Sequence, residues 1–147
     1  MNGDGVPMMG QKVRDVMTYR PVCLPADAPV AKAARVMRDQ AIGDVLVTKD
    51  EVLCGLVTDR DIVVRAVAEA RDPYSTPLGA LCTSDLVTAR PDQDVEEVMR
   101  LMRERAVRRV PVVVDGRPVG IVSLGDMALD RYPSSPLSEI SGAPPNG

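Results

Sequence analysis

Hydrophobic residues recur along this chain with two different periods, and the same succession of periods occurs twice. A helical period is followed each time by short aliphatic runs that are typical of buried strands. The helical positions keep the spacing i, i+3, i+4, i+7, which places them on one face of a helix and predicts that they are core. In the first copy they are Val30, Ala33, Ala34 and Met37, and in the second they are Val95, Val98, Met99 and Met102.

Each copy predicts the element order strand, helix, strand, strand, helix. A short extended run within 18–24, with Val22 at its centre, leads to a helix for which Asp27 is the predicted N-cap. Asp92 has the same place in the second copy. Two strands follow each helix, because β-branched and aliphatic residues are grouped there between turn signals. These strands are predicted at 45–48 and 53–57, and again at 110–114 and 118–122.

A turn separates the two strands of each pair, and a helix closes each copy. The second turn is Asp115-Gly116, which is a strong hairpin signal, and the first lies at 49–51. The closing helices are predicted at 59–70 and 124–131. An apolar face of the first closing helix is formed by Ile62, Val63, Ala66 and Val67.

The two copies align without a gap at an offset of 65 residues. Fourteen of the 49 positions in 13–61 are identical to their partners in 78–126, whereas chance would give roughly three. Self-similarity at a fixed period marks a duplicated unit, and two copies are too few for a solenoid. The predicted fold is therefore α/β (α+β), with two β-α-β-β-α repeats. We expect the repeats to be related by a pseudo-twofold axis, with their sheets packed together and clefts between them.

The repeat also predicts how the chain is divided. Pro and polar residues between the copies mark a linker, and the two ends lack any periodicity. The predicted segments are a disordered tail at 1–11, a first domain at 12–71, a linker at 72–77, a second domain at 78–131 and a disordered tail at 132–147.

Both copies end their last strand with one short segment: Gly, two aliphatic residues, a hydroxyl residue, two variable positions and Asp. It carries Thr58 and Asp61 in the first copy, and Ser123 and Asp126 in the second. Where a strand leads into a helix N-terminus, backbone N–H groups favour a phosphate, and a nearby carboxylate can accept hydrogen bonds from sugar hydroxyls. The same spacing is a capping-box signature. A structural and a ligand-binding interpretation are both open, and both can hold together.

Composition narrows the function classes. The net charge of −3 and the presence of only three aromatic residues, all Tyr, argue against nucleic-acid binding. No apolar run is long enough to span a membrane. The chain has no His and neither a G-x-x-x-x-G-K-[ST] nor a G-x-S-x-G motif, so we expect no enzyme, no catalytic residue and no metal site. An odd count of three Cys suits a reducing compartment, which predicts a cytoplasmic location.

Taken in order, these motifs resemble a pair of CBS domains, also called a Bateman module, over 13–131. The chain is also similar to small bacterial stress- or hypoxia-response proteins that consist of one such pair. The residues that carry the resemblance are Asp15-Val16-Met17-Thr18, Val45-Leu46-Val47, Gly55-Leu56-Val57-Thr58-Asp59-Arg60-Asp61, Val107-Arg108-Arg109-Val110-Pro111-Val112-Val113 and Gly120-Ile121-Val122-Ser123-Leu124-Gly125-Asp126.

The resemblance implies regulation rather than catalysis. It implies that AMP, ADP, ATP or S-adenosylmethionine binds in the clefts as a regulatory ligand, with no required cofactor. Asp61 and Asp126 would hold ribose hydroxyls, and Thr58 and Ser123 would lie at the sugar or phosphate. The residues implied at the adenine, with two weaker candidates in the preceding segments, are Val22, Val45, Val87 and Val110, with Thr18 and Thr83.

The resemblance also implies that the two halves differ. The family often has a basic pair that faces phosphate just before the second strand, and here that pair is Arg108-Arg109. The first half has Gly43-Asp44 at these positions, which predicts weaker phosphate binding there.

Two functions stay open on the sequence. One is a binding module that senses an adenosine nucleotide, and the alternative is a structural or dimerisation pair that acts through protein partners. A homodimer is predicted, because sheet edges and helix faces of a single pair need cover. The regulated partner protein is not identified by the sequence.

Overall fold

The computed structural model of this protein describes residues 10–125. Three predictions lie wholly or mostly outside the described residues: the tail at 1–11, of which 1–9 are not described, the second closing helix at 124–131 with its Asp126, and the tail at 132–147. Among the described residues, no helix has the length and apolar character needed to cross a bilayer.

The described chain is a mixed α/β protein with two three-stranded sheets, which confirms the predicted fold class. The elements are α1 (Val13–Val16), β1 (Thr18–Tyr19), β2 (Cys23–Pro25), α2 (Val30–Gln40), β3 (Asp44–Lys49), β4 (Val52–Thr58), α3 (Asp59–Asp61) continuing as a π-helix (Ile62–Val67), a 3₁₀ turn (Leu78–Ala80), α4 (Val95–Arg105), β5 (Arg109–Val114) and β6 (Arg117–Ser123). The first sheet has the order β2-β3-β4, where β2 is parallel to β3 and β3 is antiparallel to β4. The second sheet has the order β1-β6-β5.

The residues pack into two compact units. The first unit contains residues 21–86 and 116–118, and the second unit contains residues 10–20, 87–115 and 119–125 of the described chain. The predicted domain limits follow the sequence repeat, whereas packing places residues 10–20 with the second repeat and residues 78–86 with the first. Each unit is therefore completed by the first segment of the other repeat.

Backbone pairing shows how these segments are held. In the second unit, β1 pairs antiparallel with β6, with Thr18 opposite Ile121. In the first unit, Thr83 pairs antiparallel with Leu56 through two N–H to carbonyl bonds of 3.0 Å. An offset of 65 residues converts one pair into the other, so the exchange is reciprocal.

The short extended run predicted within 18–24 is wrong in its centre, Val22, because the structure has two short strands there, in different sheets, and Val22 precedes the second of them. Thr18–Tyr19 belongs to the second sheet and Cys23–Pro25 to the first. Arg20 between them has a φ of 55°, outside the strand region, and Pro21 has no N–H to donate to a ladder. These two residues separate the two strands.

The predicted helix caps Asp27 and Asp92 are also wrong, by two residues each. Pro29 and Asp94 are the N-caps of α2 and α4, and both have extended backbones. Both helices end at an Ala in the left-handed region, Ala41 and Ala106, with φ values of 56° and 55°.

The two predicted helical stripes mostly form the cores. All four positions of the second stripe are buried in α4, within the core of the second unit. In α2, Val30, Ala33 and Met37 are buried, but Ala31 is buried in place of Ala34, which is exposed. Each core also takes apolar residues from the exchanged segment: Val13 and Met17 in the second unit, and Leu78 and Leu81 in the first.

The first closing helix differs from the predicted helix at 59–70. Its regular part ends at Val67, and the N–H groups of Ala68 and Arg71 bond to carbonyls five residues earlier, which is π-helical winding. A π-helix has more residues per turn than the α-helical spacing that was used to predict the apolar face. Of the predicted apolar face, Ala66 is buried, whereas Val63 and Val67 are 58% and 68% exposed.

The glycine that opens the repeated strand-end segment is required by a close approach. A Cβ at Gly55 would lie 2.4 Å from the Cys82 sulfur and 2.8 Å from its Cβ. A Cβ at Gly120 would lie 2.6 Å from the Met17 sulfur and 3.0 Å from the Thr18 carbonyl oxygen. In both units the exchanged segment therefore passes directly over a residue without a side chain.

We expect Gly55→Ala to lower the free energy of unfolding by about 1–3 kcal/mol, because the added methyl overpacks a joint made of backbone and a short side chain. Urea denaturation measures the change. Gly79→Ala is the matched control, since a Cβ there meets its nearest atoms at ordinary distances of 3.4 and 3.5 Å. Equal stability of the two variants would show that the joint at Gly55 yields without cost.

Candidate functional site

The end of β4 in the first unit forms a closed hydrogen-bond pair with the first turn of α3. The Thr58 hydroxyl accepts a bond from the Asp61 N–H at 3.1 Å, and the Thr58 N–H donates to Asp61 Oδ2 at 2.9 Å. This is a complete capping box, and Thr58 has the extended backbone of an N-cap. The structural interpretation of this motif is therefore confirmed for the first repeat.

The cap uses only one oxygen of the Asp61 carboxylate. Oδ1 lies 3.9 Å from Arg65 Nε, beyond hydrogen-bond length, and the Asp61 side chain is 18% exposed. Arg65 also donates to the Leu81 carbonyl at 2.9 Å, so it links Asp61 to the exchanged segment. A partly exposed carboxylate that is held by its other oxygen can accept hydrogen bonds from hydroxyls without giving up the cap.

The start of β3 lies beside this cap. The Asp59 N–H donates to the Gly43 carbonyl at 2.9 Å, and Asp44 is the register partner of Thr58. The Asp59 carboxylate lies against Gly43, with Oδ2 at 3.3 Å from the place where a Cβ would be. Three carboxylates therefore occur where the start of β3 meets the end of β4: Asp44 is the first residue of β3, and Asp59 and Asp61 follow β4.

The aliphatic candidates of the first unit differ in accessibility. Val22 is half-buried, and its carbonyl accepts the Leu46 N–H at 2.9 Å. Val45 is 1% exposed, so its side chain supports the sheet surface from within the core. Thr83 is half-buried and reaches this unit only through the exchanged segment.

The second unit repeats the same backbone arrangement with different side chains. The Leu124 N–H donates to the Arg108 carbonyl at 2.9 Å, as Asp59 does to Gly43. Arg108 and Arg109 are exposed, Ser123 and Val87 are half-buried, and Val110 is fully buried. Thr18, from the first repeat, is an exposed residue of β1 beside β6. Asp126 lies outside the described residues, so its predicted role stays a prediction.

The structure thus sorts the predicted residues by unit and not by repeat. The first unit holds Val22, Val45, Thr58, Asp61 and Thr83, and the second holds Thr18, Val87, Arg108, Arg109, Val110 and Ser123. Sequence reasoning placed Thr18 and Thr83 with their own repeats, because nothing in the local pattern reports an exchange. It also passed over Asp59 and Arg65, although the repeat alignment sets Asp59 against Leu124.

The thiols of Cys82 and Cys23 in the first unit are not suited to nucleophilic chemistry. Burial raises the pKa of the Cys82 thiol, and the nearby Cys54 raises it further. Burial also raises the pKa of the Cys23 thiol. Both groups therefore stay protonated at neutral pH, and a thiol is a far weaker nucleophile than a thiolate.

Two further features of the described residues bear on the chemistry. Residues 10–125 contain no group of three or more His, Cys, Asp or Glu side chains that could hold a metal ion. A pocket of about 480 Å³ in the second unit is lined by Arg14, 90–92 and 113–115. It contains none of the predicted site residues, and its Arg90 is paired with Asp92 at 3.4 Å.

Comparison with known proteins agrees with this architecture. Residues 13–67 and 78–129 each match the CBS domain family. The CBS domain-containing protein YhcV of Bacillus subtilis is 34% identical over 133 residues, which cover 88% of this chain and 94% of the relative. Hypoxic response protein 1 of Mycobacterium tuberculosis is 34% identical over 116 residues, which cover 78% of this chain and 81% of the relative.

Two solved structures share the fold. One is hypoxic response protein I with two coordinated zinc ions, with a TM-score of 0.74 and 33% identity over 82% of this chain and 98% of that one. The other is the CBS domain pair of protein MJ0100 in complex with 5-methylthioadenosine and S-adenosyl-L-methionine. It has a TM-score of 0.71 and 26% identity over 80% of this chain and 93% of that one. The two matched segments, the similar relatives and the shared fold together show that this chain belongs to the CBS-domain family, as a pair of CBS domains.

Proposed function

We propose that this protein is a regulatory module that binds an adenosine ligand at the strand-end segments of its CBS domains. The observation that carries the proposal is the Asp61 carboxylate, which caps α3 with Oδ2 and leaves Oδ1 outside the cap, 3.9 Å from Arg65 Nε. A similar CBS domain pair, that of MJ0100, is in complex with two adenosine compounds, which supports this ligand class. The module acts by binding and not by catalysis, on a regulated protein that stays to be identified.

The described side chains suggest how the first unit would hold the ligand. Asp61 would accept hydrogen bonds from the ribose hydroxyls, and Thr58 would lie beside the sugar. Val22, which is half-buried, would offer an aliphatic wall to adenine. Val45 would contribute through its backbone, since its side chain is buried. In the second unit Ser123, Val87 and Val110 would have the same roles, with Asp126 as the carboxylate.

The second candidate function is a structural pair that binds no nucleotide and acts through protein partners. The complete capping box favours it, because Thr58 and Asp61 already have a structural role without any ligand. The two candidate functions differ in whether the negative charge of Asp61 is needed. A cap needs only an oxygen acceptor at this position, whereas ribose recognition gains from a carboxylate.

We expect calorimetry with AMP, ADP, ATP and S-adenosylmethionine to show binding between micromolar and sub-millimolar Kd, or about −5 to −8 kcal/mol. Asp61→Asn keeps an oxygen that accepts the Thr58 N–H, so stability should fall by well under about 1 kcal/mol. Affinity at this site should fall on the order of tenfold, because a charge-assisted bond becomes a neutral one. Asp39→Asn, an exposed residue paired with Arg38, is the control and should bind as before. No heat with any ligand would establish the structural alternative.

We further propose that the second unit binds phosphate more strongly than the first. Two guanidiniums can grip phosphate oxygens, and each such contact contributes roughly 1.5–3 kcal/mol. Arg108 and Arg109 are exposed, and Arg109 already has an interaction within the protein. The site served by this pair is expected to fill first.

Replacing these arginines should separate phosphate binding from nucleoside binding. Arg108→Ala and Arg109→Ala should each weaken AMP about tenfold to a hundredfold and leave adenosine nearly unchanged. Arg100→Ala, an exposed position on α4, is the control with the same loss of charge. Equal losses for AMP and adenosine would assign the arginines to folding, and two equal sites in the unaltered protein would refute the asymmetry.

We also propose that this protein is located in the cytoplasm, because all three Cys are free thiols.

We propose further that the protein forms a homodimer. The π-helix exposes Val63, Val64 and Val67 side by side, and a second copy of the chain is the simplest cover for such a patch. Light scattering at tens of micromolar should give the dimer mass, and Val67→Lys should shift it toward the monomer. Val114→Lys is the control, since Lys49 stands at the equivalent exposed position of the first repeat. A monomeric mass for the unaltered protein would contradict the dimer.

A further inference from the structure

In the first unit, the Asp59 carboxylate lies beside Gly43, and the second repeat has the basic residue Arg108 at the position equivalent to Gly43. Gly43 precedes β3 and has no side chain, and the Asp59 carboxylate lies over it. Oδ2 and Cγ of Asp59 are 3.3 Å and 3.7 Å from the position that a Cβ of residue 43 would take. The Asp59 N–H also donates to the Gly43 carbonyl at 2.9 Å, so the two residues are held together by backbone as well.

The second repeat has the same backbone bond with the opposite chemistry. There Leu124 donates its N–H to the Arg108 carbonyl at 2.9 Å. The apolar residue Leu124 occupies the position equivalent to Asp59. Arg108, with its guanidinium group, occupies the position equivalent to Gly43, which has no side chain. One pair of equivalent positions therefore carries a negative charge in the first unit and a positive charge in the second.

The two changes depend on each other sterically. A Cβ at residue 43 would lie 3.3 Å from Asp59, closer than an ordinary contact, so the neighbouring carboxylate would have to move for a larger side chain. The glycine at residue 43, in turn, leaves room for the carboxylate at this distance from the strand end. The charge at this corner is thus set by the pair and not by either residue alone.

We infer that Asp59, seated over Gly43, is a specificity-determining residue that makes the first unit reject phosphate and accept an adenosine compound whose 5′ substituent is neutral or cationic. The inference rests on the proposed adenosine site, whose Thr58 and Asp61 flank Asp59 in the same turn. A 5′-phosphate near this corner meets the Asp59 charge, which repels it. A nucleoside, a thioether or a sulfonium does not meet this repulsion. Sugar and adenine contacts are the same for all of these compounds.

The test is the ratio of AMP affinity to adenosine affinity at the first site, measured by calorimetry. Arg108→Ala serves as the background, so that the second site contributes little to the AMP signal. In this background Asp59→Asn, which keeps the size of the side chain, should raise AMP affinity several-fold. Asp59→Leu, which copies the second repeat, should raise it on the order of tenfold. Adenosine affinity should stay unchanged, and S-adenosylmethionine should bind more weakly than before.

Two further measurements make the result specific. The double variant Gly43→Arg/Asp59→Leu should turn the first site into one that prefers AMP, and added salt should reduce every AMP effect because the effects are electrostatic. Asp50→Asn is the matched control: it removes the same charge at the other end of β3, in a turn position with a φ of 53° that Asn accepts. It should leave the AMP to adenosine ratio unchanged.

The outcomes separate this inference from the function on which it rests. If adenosine binds but neither Asp59→Asn nor Asp59→Leu changes the ratio of AMP affinity to adenosine affinity, the role of Asp59 is overturned. The adenosine site is then retained. Absence of binding by adenosine, AMP and S-adenosylmethionine alike would overturn both. A ratio that rises in the Asp59 variants and not in Asp50→Asn establishes the role of Asp59.

Discussion

The rest of the structure depends on one backbone contact that occurs in both units: an exchanged segment passes over a glycine of the last strand of the other repeat. Cys82 and Thr83 pass over Gly55, and Met17 and Thr18 pass over Gly120. This pairing brings Leu78 and Leu81 into one core and Val13 and Met17 into the other. Neither unit could close its core from its own repeat alone, since a sheet of so few strands does not cover itself. A side chain at the glycine would push the exchanged segment away from the core that it completes.

The same joint explains how one short motif can combine its capping role with the proposed role in ligand binding. Immediately after the glycine contact, β4 ends in the Thr58–Asp61 capping box, which fixes the direction in which α3 leaves the sheet. The cap occupies Oδ2 of Asp61, while Arg65 ties the helix to the Leu81 carbonyl of the exchanged segment. The carboxylate is thus held in position before any ligand arrives, and preorganisation of this kind lowers the ordering cost of binding. Capping and the proposed recognition are compatible because they would use different oxygens of Asp61.

Duplication has preserved the backbone of this protein more strictly than its charges. Equivalent bonds join Asp59 to Gly43 and Leu124 to Arg108 at the same distance of 2.9 Å. A main-chain bond tolerates any side chain, so these positions were free to diverge once the strand pairing was fixed. The consequence is that two similar frameworks present a carboxylate in one unit and guanidiniums in the other. Selectivity between ligands can therefore change without any change in the fold.

The sequence by itself determined the element order, the α4 stripe, the family and the strand-end motif, because these depend on local periodicity and on spacing along the chain. It did not determine which segment completes which unit, since Thr18 and Thr83 carry the same local pattern whether they pair within their own repeat or with the other one. The alternation of apolar residues also could not reveal that Arg20 and Pro21 separate β1 from β2, or that Val63 and Val67 are exposed. Only tertiary packing placed Asp59 over Gly43 and left Asp61 one oxygen free of the cap, because both facts depend on how two strand ends meet and not on either strand alone.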